Sequence, residues 1–213
     1  MKYGKLQEIV GDEPLFETGL LLAGDVDPAS VRRQLSRLTA SGRLLQLRRG
    51  LYALAPPYQK VKPHPFLVAN HIMRPSYVSL QSALAYHGII PEFVPVVTSV
   101  TTSRPSLWNT ALGDFEYRHV KEELLFGYRM EDLGGGQTAL VATPEKALLD
   151  LLYLQPGSDR PAYLLELRLG NLESLDFDSL KGFAEAASSP KLRRAISRLE
   201  KMAHLAAEEY EAP

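Results

Sequence analysis

Arginine side chains are concentrated in a part of the sequence that contains no carboxylate. Between Pro28 and Leu54 there are six arginines and no Asp or Glu, and the acid-free stretch continues to Pro91 with nine positive charges in all. The whole chain is nearly neutral, with 24 basic and 25 acidic side chains. Guanidinium groups bind phosphate oxygens through charge-assisted hydrogen bonds, whereas a neighbouring carboxylate would repel phosphate. The charge distribution therefore predicts a surface that binds a polyanion.

Two other sets of side chains have the residue types of a catalytic site, but their spacing disfavours catalysis. Ser79 and His87 could serve as nucleophile and base, yet about two turns of one predicted helix separate them. Asp114, Glu116 and Lys121 are the residue types of a metal-dependent nuclease. The two carboxylates alternate with aromatic residues, as exposed residues on one face of a strand do. We therefore predict no catalytic residue and no enzymatic activity.

Cofactor and metal sites are not indicated either. The chain has no cysteine, which excludes disulfides and thiolate metal sites, and its five histidines are scattered. The run Gly134–Gly136 lacks the Lys-Ser/Thr pair of a phosphate-binding loop and is predicted to form a hairpin. The first residues lack the apolar core of a signal peptide, and no run of about 18 apolar residues could cross a membrane. We expect a cytoplasmic protein without cofactor or metal.

The first arginines lie on a predicted helix. Asp27-Pro28 supplies an N-cap and a first helical proline, and Gly42 can end the helix after Ser41 in a left-handed conformation. One stripe of the helix is apolar because of residues at i, i+4 and i+7, which are Val31, Leu35 and Leu38. The polar residues opposite that stripe and on its flanks are Ser30, Arg32, Arg33, Ser36 and Arg37.

A hairpin with a basic tip follows this helix. The segments RLLQL and LYAL are predicted strands, and Arg48-Arg49-Gly50 lies between them. Gly50 can take the positive φ that a tight hairpin requires. Arg48 and Arg49 are therefore expected at the tip.

Upstream elements complete a recognisable motif. Tyr3–Val10 is predicted to be a helix, Phe16-Glu17 a strand, and Thr18–Ala23 a small helix capped by Thr18, followed by a turn at residues 25–27. Helix, strand, helix, turn, helix and hairpin is the order of a winged helix-turn-helix, which places its second motif helix in the major groove and its wing on the phosphates. We therefore predict contacts with double-stranded DNA by Ser30, Arg32, Arg33, Ser36, Arg37, Arg48 and Arg49. The competing interpretation is that the basic helix is only a solvated face, since winged helices also serve as protein–protein modules.

A proline-rich segment divides the chain. Residues 55–65 contain four prolines, which predicts a stiff linker and a domain boundary with few contacts across it. Residues 1–60 are assigned to the winged helix domain and residues 61–213 to a larger domain. The predicted fold class is α+β, with an N-terminal winged helix-turn-helix followed by a mixed α+β domain.

The larger domain is predicted to contain both helices and strands. Strands are expected in VPVVTSVTTS, FEYRHV, FGYRM and QTALVA, which contain β-branched and aromatic residues. Helices are expected at residues 66–73, at LQSALAYH with Ser79 as its cap, at EKALLDLLYL after Thr143-Pro144, and from Ser189-Pro190 to about Glu209. Tyr86 or His87 is expected to bond a neighbouring strand, and Glu145 to complement the dipole of its helix.

Several motifs, in order along the chain, resemble the AbiEi family of antitoxins. They are RRGLYAL, YVSLQSALAYHGIIPE, VTSVTTSRP, FEYRHV and ATPEKALLDLLYL, and the similarity runs from about Leu15 to Leu154. The last 60 or so residues carry no motif of the family.

The resemblance implies a DNA-binding antitoxin of a type IV toxin–antitoxin, or phage abortive infection, system. Its winged helix would repress its own operon by binding an operator of inverted repeats in double-stranded DNA. Its C-terminal domain would neutralise a cognate toxin that resembles a nucleotidyltransferase, and no membrane would be involved. Two alternatives stay open: a regulator with a ligand-sensing or dimerising second domain and no toxin partner, and a nuclease-like enzyme that a winged helix targets to DNA.

Overall fold

The computed structural model describes residues 3–23 and 26–211. Its N-terminal part contains an antiparallel sheet of three strands in the order β1-β3-β2. In chain order the elements are α1 (Tyr3–Val10), β1 (Phe16–Glu17), a 3₁₀ helix (Thr18–Leu22), α2 (Pro28–Ala40), β2 (Leu44–Arg48) and β3 (Leu51–Leu54). This arrangement confirms the predicted winged helix-turn-helix.

Helix α2 begins and ends as its sequence predicts. The Asp27 carboxylate accepts hydrogen bonds from the backbone N–H groups of Ala29 (3.1 Å) and Ser30 (2.9 Å), which satisfies two free donors of the first turn. Gly42 follows the helix with a φ of +69°, a conformation that glycine adopts without strain. The apolar stripe is buried in a small core against α1 and the sheet, and it consists of Val31, Leu35 and Leu38. Burial of this stripe leaves the opposite face of α2 to solvent.

The first helix of the motif differs from the prediction. It is a short 3₁₀ helix, and the residue before it is Glu17, whose side chain makes no capping hydrogen bond. Thr18 is not a cap either, because its backbone N–H donates to the carbonyl of Gly50 (2.9 Å) and its hydroxyl donates to the same oxygen (3.4 Å). Thr18 therefore joins this helix to the hairpin. The predicted turn at residues 25–27 starts outside the described residues.

A mixed sheet of six strands forms the centre of the second region. Its order is β6-β7-β5-β4-β9-β8, with β5 parallel to β7, β4 parallel to β9 and the other neighbours antiparallel. The strands are β4 (Ser76–Val78), β5 (Val96–Thr101), β6 (Ser106–Thr110), β7 (Gly113–His119), β8 (Tyr128–Asp132) and β9 (Thr138–Ala142). The helices are α3 (Pro65–Ile72), α4 (Leu80–Tyr86), α5 (Pro144–Leu154), α6 (Pro161–Glu166), α7 (Phe177–Ala186) and α8 (Pro190–Glu211). The α+β class is thus confirmed.

The elements that the sequence did not predict are mostly short or lie at an edge. Strand β4 has three residues, and β6 is an edge strand whose residues alternate between half-buried and exposed. Helix α6 has six residues, and α7 follows a capping Asp176 that the sequence reading did not consider. The glycine run between β8 and β9 forms the predicted hairpin, with positive φ at all three glycines.

The proline-rich segment is not a loose linker, so the expectation of few contacts across it was wrong. Its first half packs on the winged helix: the Tyr58 and Tyr3 rings are nearly perpendicular with their centres 5.2 Å apart, and the Lys60 ammonium pairs with Asp12 at 2.8 Å. Its second half is held by the buried Gln137 side chain, whose Oε1 accepts from His64 N (2.7 Å) and whose Nε2 donates to Lys62 O (3.1 Å).

The hydrophobic core also crosses this boundary. Four buried residues of the winged helix region, Leu15, Leu47, Leu51 and Ala53, belong to the same apolar cluster as the second region. In that cluster they join residues of α3 such as Val68. A stiff backbone does not imply separation when both sides of the segment present apolar side chains.

Candidate nucleic-acid interface

The solvent-facing side of α2 carries five of the residues that we predict to contact DNA. All five are exposed, namely Ser30, Arg32, Arg33, Ser36 and Arg37. They are exposed because the helix buries its other side, and residues three or four apart share a face. The winged helix therefore presents three arginines on one short helical surface. Such a surface binds phosphates and can read base edges in a major groove.

One carboxylate lies beside this surface. The guanidinium of Arg33 is 3.8 Å from the Asp27 carboxylate, and both side chains are more than half exposed. An ion pair this exposed contributes little stability and is screened by salt, so it can give way to phosphate. Asp27 is needed as the cap of α2, which explains why an acid is present immediately before the acid-free segment.

The two arginines of the wing have different surroundings. Arg48 is turned toward the second region: its Nε donates to the backbone carbonyl of His71 at the end of α3 (3.1 Å), and its Nη2 lies 3.4 Å from the Glu17 carboxylate. Only 29% of its side chain is exposed. Arg49 is exposed and makes no ion pair with a described residue. Within the wing, Arg49 therefore has the side chain that is free to meet DNA, while Arg48 fastens the wing to α3.

The wing is rigidly placed. Gly50 has a φ of +86°, and its carbonyl is bound by Thr18 at the start of the 3₁₀ helix. The register between β2 and β3 shifts between Gln46 and Arg48, which is the mark of a bulge and turns the Arg48 side chain out of the regular alternation. The sequence pattern could not reveal this bulge, so it gave both arginines the same expected role.

Comparison with known proteins identifies the motif. The family model of the AbiEi antitoxin transcriptional regulator matches residues 19–55. This segment is similar to the AbiEi regulator domain. Within these residues the resemblance inferred from the sequence is confirmed, and the matching family is one of transcriptional regulators. No curated protein matches the chain.

Beyond the AbiEi segment, the nuclease-type residues do not converge. Asp114 accepts from the Asn109 amide (2.9 Å), Glu116 lies 3.5 Å from Arg118, and Lys121 pairs with Glu123 at 3.4 Å. Within residues 3–23 and 26–211 no group of three or more acidic or histidine side chains could hold a metal ion. The described helices also include none with the length and apolarity to cross a membrane.

A buried polar cluster lies behind the second region's sheet, and the sequence reading missed it. Lys146 and Asp150, one turn apart on α5, form an ion pair that is almost completely shielded from solvent. The Oδ2 atom of Asp150 also accepts hydrogen bonds from Tyr77 (2.9 Å) and Ser79 (2.8 Å). Ser79 occupies the predicted N-cap position of α4, but its hydroxyl makes no capping hydrogen bond, because it donates to Asp150 instead. The signal was present in the sequence as two charges at i, i+4 within an otherwise apolar helix face.

The cluster is closed by aromatic rings and by one glycine. The Lys146 ammonium lies 5.5 Å from the centre of the Tyr77 ring and 5.0 Å from that of Phe126, within cation–π range. Gly127, with a φ of +72°, leaves room for this lysine, because a Cβ there would lie 2.9 Å from Lys146 Cγ. The Lys146 side chain is completely buried, and we therefore interpret the cluster as a support of the fold.

Burial controls the titration of the cluster. It raises the pKa of the Asp150 carboxyl and lowers the pKa of the Lys146 ammonium, while their mutual attraction opposes both shifts. Burial and the adjacent Asp150 charge raise the pKa of the Tyr77 hydroxyl, which therefore remains a donor.

The prediction for His87 is confirmed, since its Nε2 lies 2.8 Å from the carbonyl of Ala142 at the end of β9.

Proposed function

We propose that this protein is the antitoxin and transcriptional autorepressor of a type IV toxin–antitoxin operon. The observation that carries the proposal is the arginine face of α2, which is exposed in a segment that matches the AbiEi model and lies within a stretch of 64 residues without an acid. Positive charge on this surface releases counterions from DNA when it binds, and the absence of carboxylates removes the main source of repulsion.

The proposed DNA contacts are divided by role. Arg33 and Arg37 are the candidates for reading base edges, because they lie opposite the buried stripe of α2. Arg32, Ser30 and Ser36 flank them and are suited to phosphate contacts. Arg49 is suited to the phosphate backbone from the wing. The target is operator DNA upstream of the protein's own gene, with inverted repeats if two copies bind together.

The test is binding of the Arg33→Ala, Arg37→Ala double variant to its promoter DNA, measured by fluorescence anisotropy. If one of these arginines reads a guanine, its loss costs about 1–3 kcal/mol and relaxes specificity at one base pair. The matched control is Arg104→Ala, Arg193→Ala, which removes the same charge from exposed positions of the second region. A folded Arg33, Arg37 variant that binds the promoter as well as this control does would contradict the proposal.

The toxin-neutralising role is proposed for residues 66–213. Residues 92–213 contain 13 basic and 19 acidic side chains, so this region is net negative and suits a basic partner that handles nucleotides or nucleic acid. The test is a growth assay in which the toxin encoded beside this gene is expressed from a separate promoter. The α2 arginine variants should lose repression and still protect the cells. Loss of growth with the wild-type protein present would contradict the antitoxin role.

A further inference from the structure

A cavity beside α3 has no part in the function proposed so far. Its volume is about 550 Å³, which lies in the range of small-molecule sites. Residues of α3 and β4 line it together with residues of β8 and β9, and we call it the Arg74 cavity after the arginine on its wall. Another lining residue, His71, accepts a hydrogen bond from Arg48 of the wing through its backbone carbonyl (3.1 Å). The cavity therefore adjoins the contact between the wing and α3.

The Arg74 cavity is positively charged. Arg74 is exposed, and its Nη2 lies 3.0 Å from Nδ1 of His71. Burial and the Arg74 charge lower the pKa of the His71 imidazole, so the ring is a neutral neighbour of that guanidinium. None of the described residues that line the cavity is an Asp or a Glu, and Arg74 makes no ion pair with a described residue. Its guanidinium is thus available to a phosphate or carboxylate group.

A pair of stacked aromatic rings forms another part of the wall. The centres of the Tyr77 and Tyr128 rings are 4.6 Å apart, with 21° between their planes. The Tyr77 hydroxyl donates to Asp150 (2.9 Å), so the buried polar cluster holds this pair of rings in place. Tyr77 is almost completely buried, whereas Tyr128 is 37% exposed. A second planar ring can stack on such a side chain whatever hydrogen-bonding groups it carries.

We propose that the Arg74 cavity binds a nucleoside monophosphate, with the phosphate at Arg74 and the base against Tyr128. A planar ring that carries one anionic group satisfies both features of the wall, and the exposed Thr138 hydroxyl offers a further hydrogen bond. Inorganic phosphate satisfies only the charge. Duplex DNA also satisfies only the charge, because its bases are stacked within the duplex and cannot reach Tyr128.

Occupation of the cavity should weaken promoter binding. A bound phosphate attracts Arg74 away from the His71 ring, and the backbone carbonyl of the same histidine holds Arg48 of the wing. A shift at this end of α3 therefore loosens the placement of the wing. By linkage, promoter DNA must lower the affinity for the nucleotide by the same factor. This effect on the promoter rests on the proposed function, whereas nucleotide binding itself does not.

The first experiment measures binding to the full-length protein by isothermal titration calorimetry. The probes are adenosine, guanosine, cytidine and uridine monophosphates, the four parent nucleosides and inorganic phosphate. At least one nucleotide should bind about tenfold or more tightly than its nucleoside and than phosphate, because the stacked base and the charge both contribute. If no nucleotide exceeds phosphate, the cavity is not a nucleotide site, whatever the protein does at its promoter.

Variants then locate the site. Arg74→Ala should weaken binding of that nucleotide about tenfold or more, while the matched control Arg193→Ala, which removes an exposed arginine from α8, should bind it as the wild type does. Tyr128→Ser should also weaken binding, and Tyr128→Phe, which keeps the ring, should not. Thermal unfolding checks that each variant is folded. Equal affinities of the Arg74 and Arg193 variants would overturn the assignment, and this comparison remains decisive even if Tyr128→Ser fails to fold.

The second experiment measures promoter affinity with and without a saturating concentration of the nucleotide. The wild type should bind promoter DNA about fivefold or more weakly in its presence. Arg48→Ala lacks the bond to His71, so its promoter affinity should not respond to the nucleotide. An unchanged wild-type affinity would overturn the link between cavity and wing. If the wild type does not bind the promoter at all, the proposed function fails, while the calorimetry still decides the nucleotide site.

Discussion

At the scale of single residues, charged side chains in this protein serve two opposite purposes. The arginines of α2 are exposed, and in the proposed function they bind the phosphates or base edges of DNA. Lys146 and Asp150 are shielded from solvent and depend on each other, because each is the counter-ion that offsets the desolvation of the other. The hydroxyls of Tyr77 and Ser79 also stabilise the carboxylate, and the Tyr77 and Phe126 rings also stabilise the ammonium. Side-chain type alone does not distinguish these purposes, but the residues around each charge do.

The buried pair should respond to substitution in a non-additive way. Lys146→Met leaves the Asp150 carboxylate without its counter-ion and should lower the free energy of unfolding by about 3–5 kcal/mol. Asp150→Asn leaves the Lys146 ammonium without its counter-ion and should have a similar cost. The double variant should cost less than the sum of the two. Urea unfolding measures all three. Lys181→Met breaks an exposed pair with Glu200 and should change stability by no more than about 1 kcal/mol, so a similar loss there would contradict the argument.

His71 should make stability depend on pH. Burial, with the nearby Arg74 and Arg48 guanidinium groups, lowers the pKa of its imidazole in the folded state, although Glu17 opposes the shift. The unfolded chain, with an imidazole pKa of about 6.5, then binds more protons in the window below that value. The free energy of unfolding should therefore fall as pH drops through this window, and His71→Gln should reduce the fall.

The control for this pH effect is His119→Gln, which removes an exposed histidine. Chemical unfolding at pH values above and below about 6.5 compares the two variants with wild type. His64 contributes a loss of the same sign, because burial also lowers the pKa of its imidazole. If His71→Gln keeps the full pH dependence of the wild type while the folded structure is intact, the assignment to His71 is wrong.

At the scale of elements, the wing connects the DNA-binding surface with the second region. Its tip carries Arg49 toward solvent, while Arg48 reaches the last turn of α3. The bulge in β2 and the bond from Thr18 to Gly50 fix the direction in which each side chain points. Two adjacent arginines consequently have different surroundings in one hairpin, and we propose different functions for them.

This division predicts different salt dependences for the two arginines. Arg49→Ala should reduce the slope of log affinity against log salt by about 0.9, the value for one lost phosphate contact. Arg48→Ala should leave that slope unchanged and should weaken promoter binding, since the wing loses its tie to α3. Titrations of promoter DNA at several salt concentrations measure both quantities. A reduced slope for Arg48→Ala would mean that this side chain leaves His71 and binds phosphate in the complex.

At the scale of the whole molecule, the two parts share a core. Leu51 on the hairpin is completely buried in the cluster that continues into the second region, and the proline-rich segment packs on both parts. Cooperative unfolding is expected when such a core is continuous. The candidate DNA surface and the second region thus belong to one connected body.

A core substitution in the winged helix should therefore also lower the stability of the second region. Leu51→Ala should destabilise the protein by about 2–5 kcal/mol and shift the unfolding transition reported by Trp108, the only tryptophan, which lies on β6. Far-UV circular dichroism should show the same midpoint. Leu20→Ala, at an exposed position of the winged helix, is the control. Separate transitions, with the Trp108 signal unaffected by Leu51→Ala, would show that the two parts unfold independently.

Local patterns in the sequence were sufficient for the winged helix. The cap at Asp27, the stripe formed by Val31, Leu35 and Leu38, and the glycine at position 50 act over a few residues, and all three are found as predicted. The charge pattern was informative for the same reason, because a long acid-free stretch leaves every face of its elements without carboxylates. These local features are sufficient to predict the fold class and the candidate DNA surface without any tertiary contact.

Other features were decided only by tertiary structure, because they depend on which residues meet across long sequence separations. The Ser79 hydroxyl donates to Asp150, 71 residues further along the chain, and does not cap α4. The Arg48 guanidinium donates to the carbonyl of His71, 23 residues further along, and does not extend from the wing tip. Gln137 holds the proline-rich segment from 73 residues away. The Arg74 cavity belongs to the same group, since residues of α3 and β4 line it together with residues of β8 and β9 from a distant part of the chain. Local sequence sets what each segment can form, and long-range packing decides which of its side chains remain free to bind a partner.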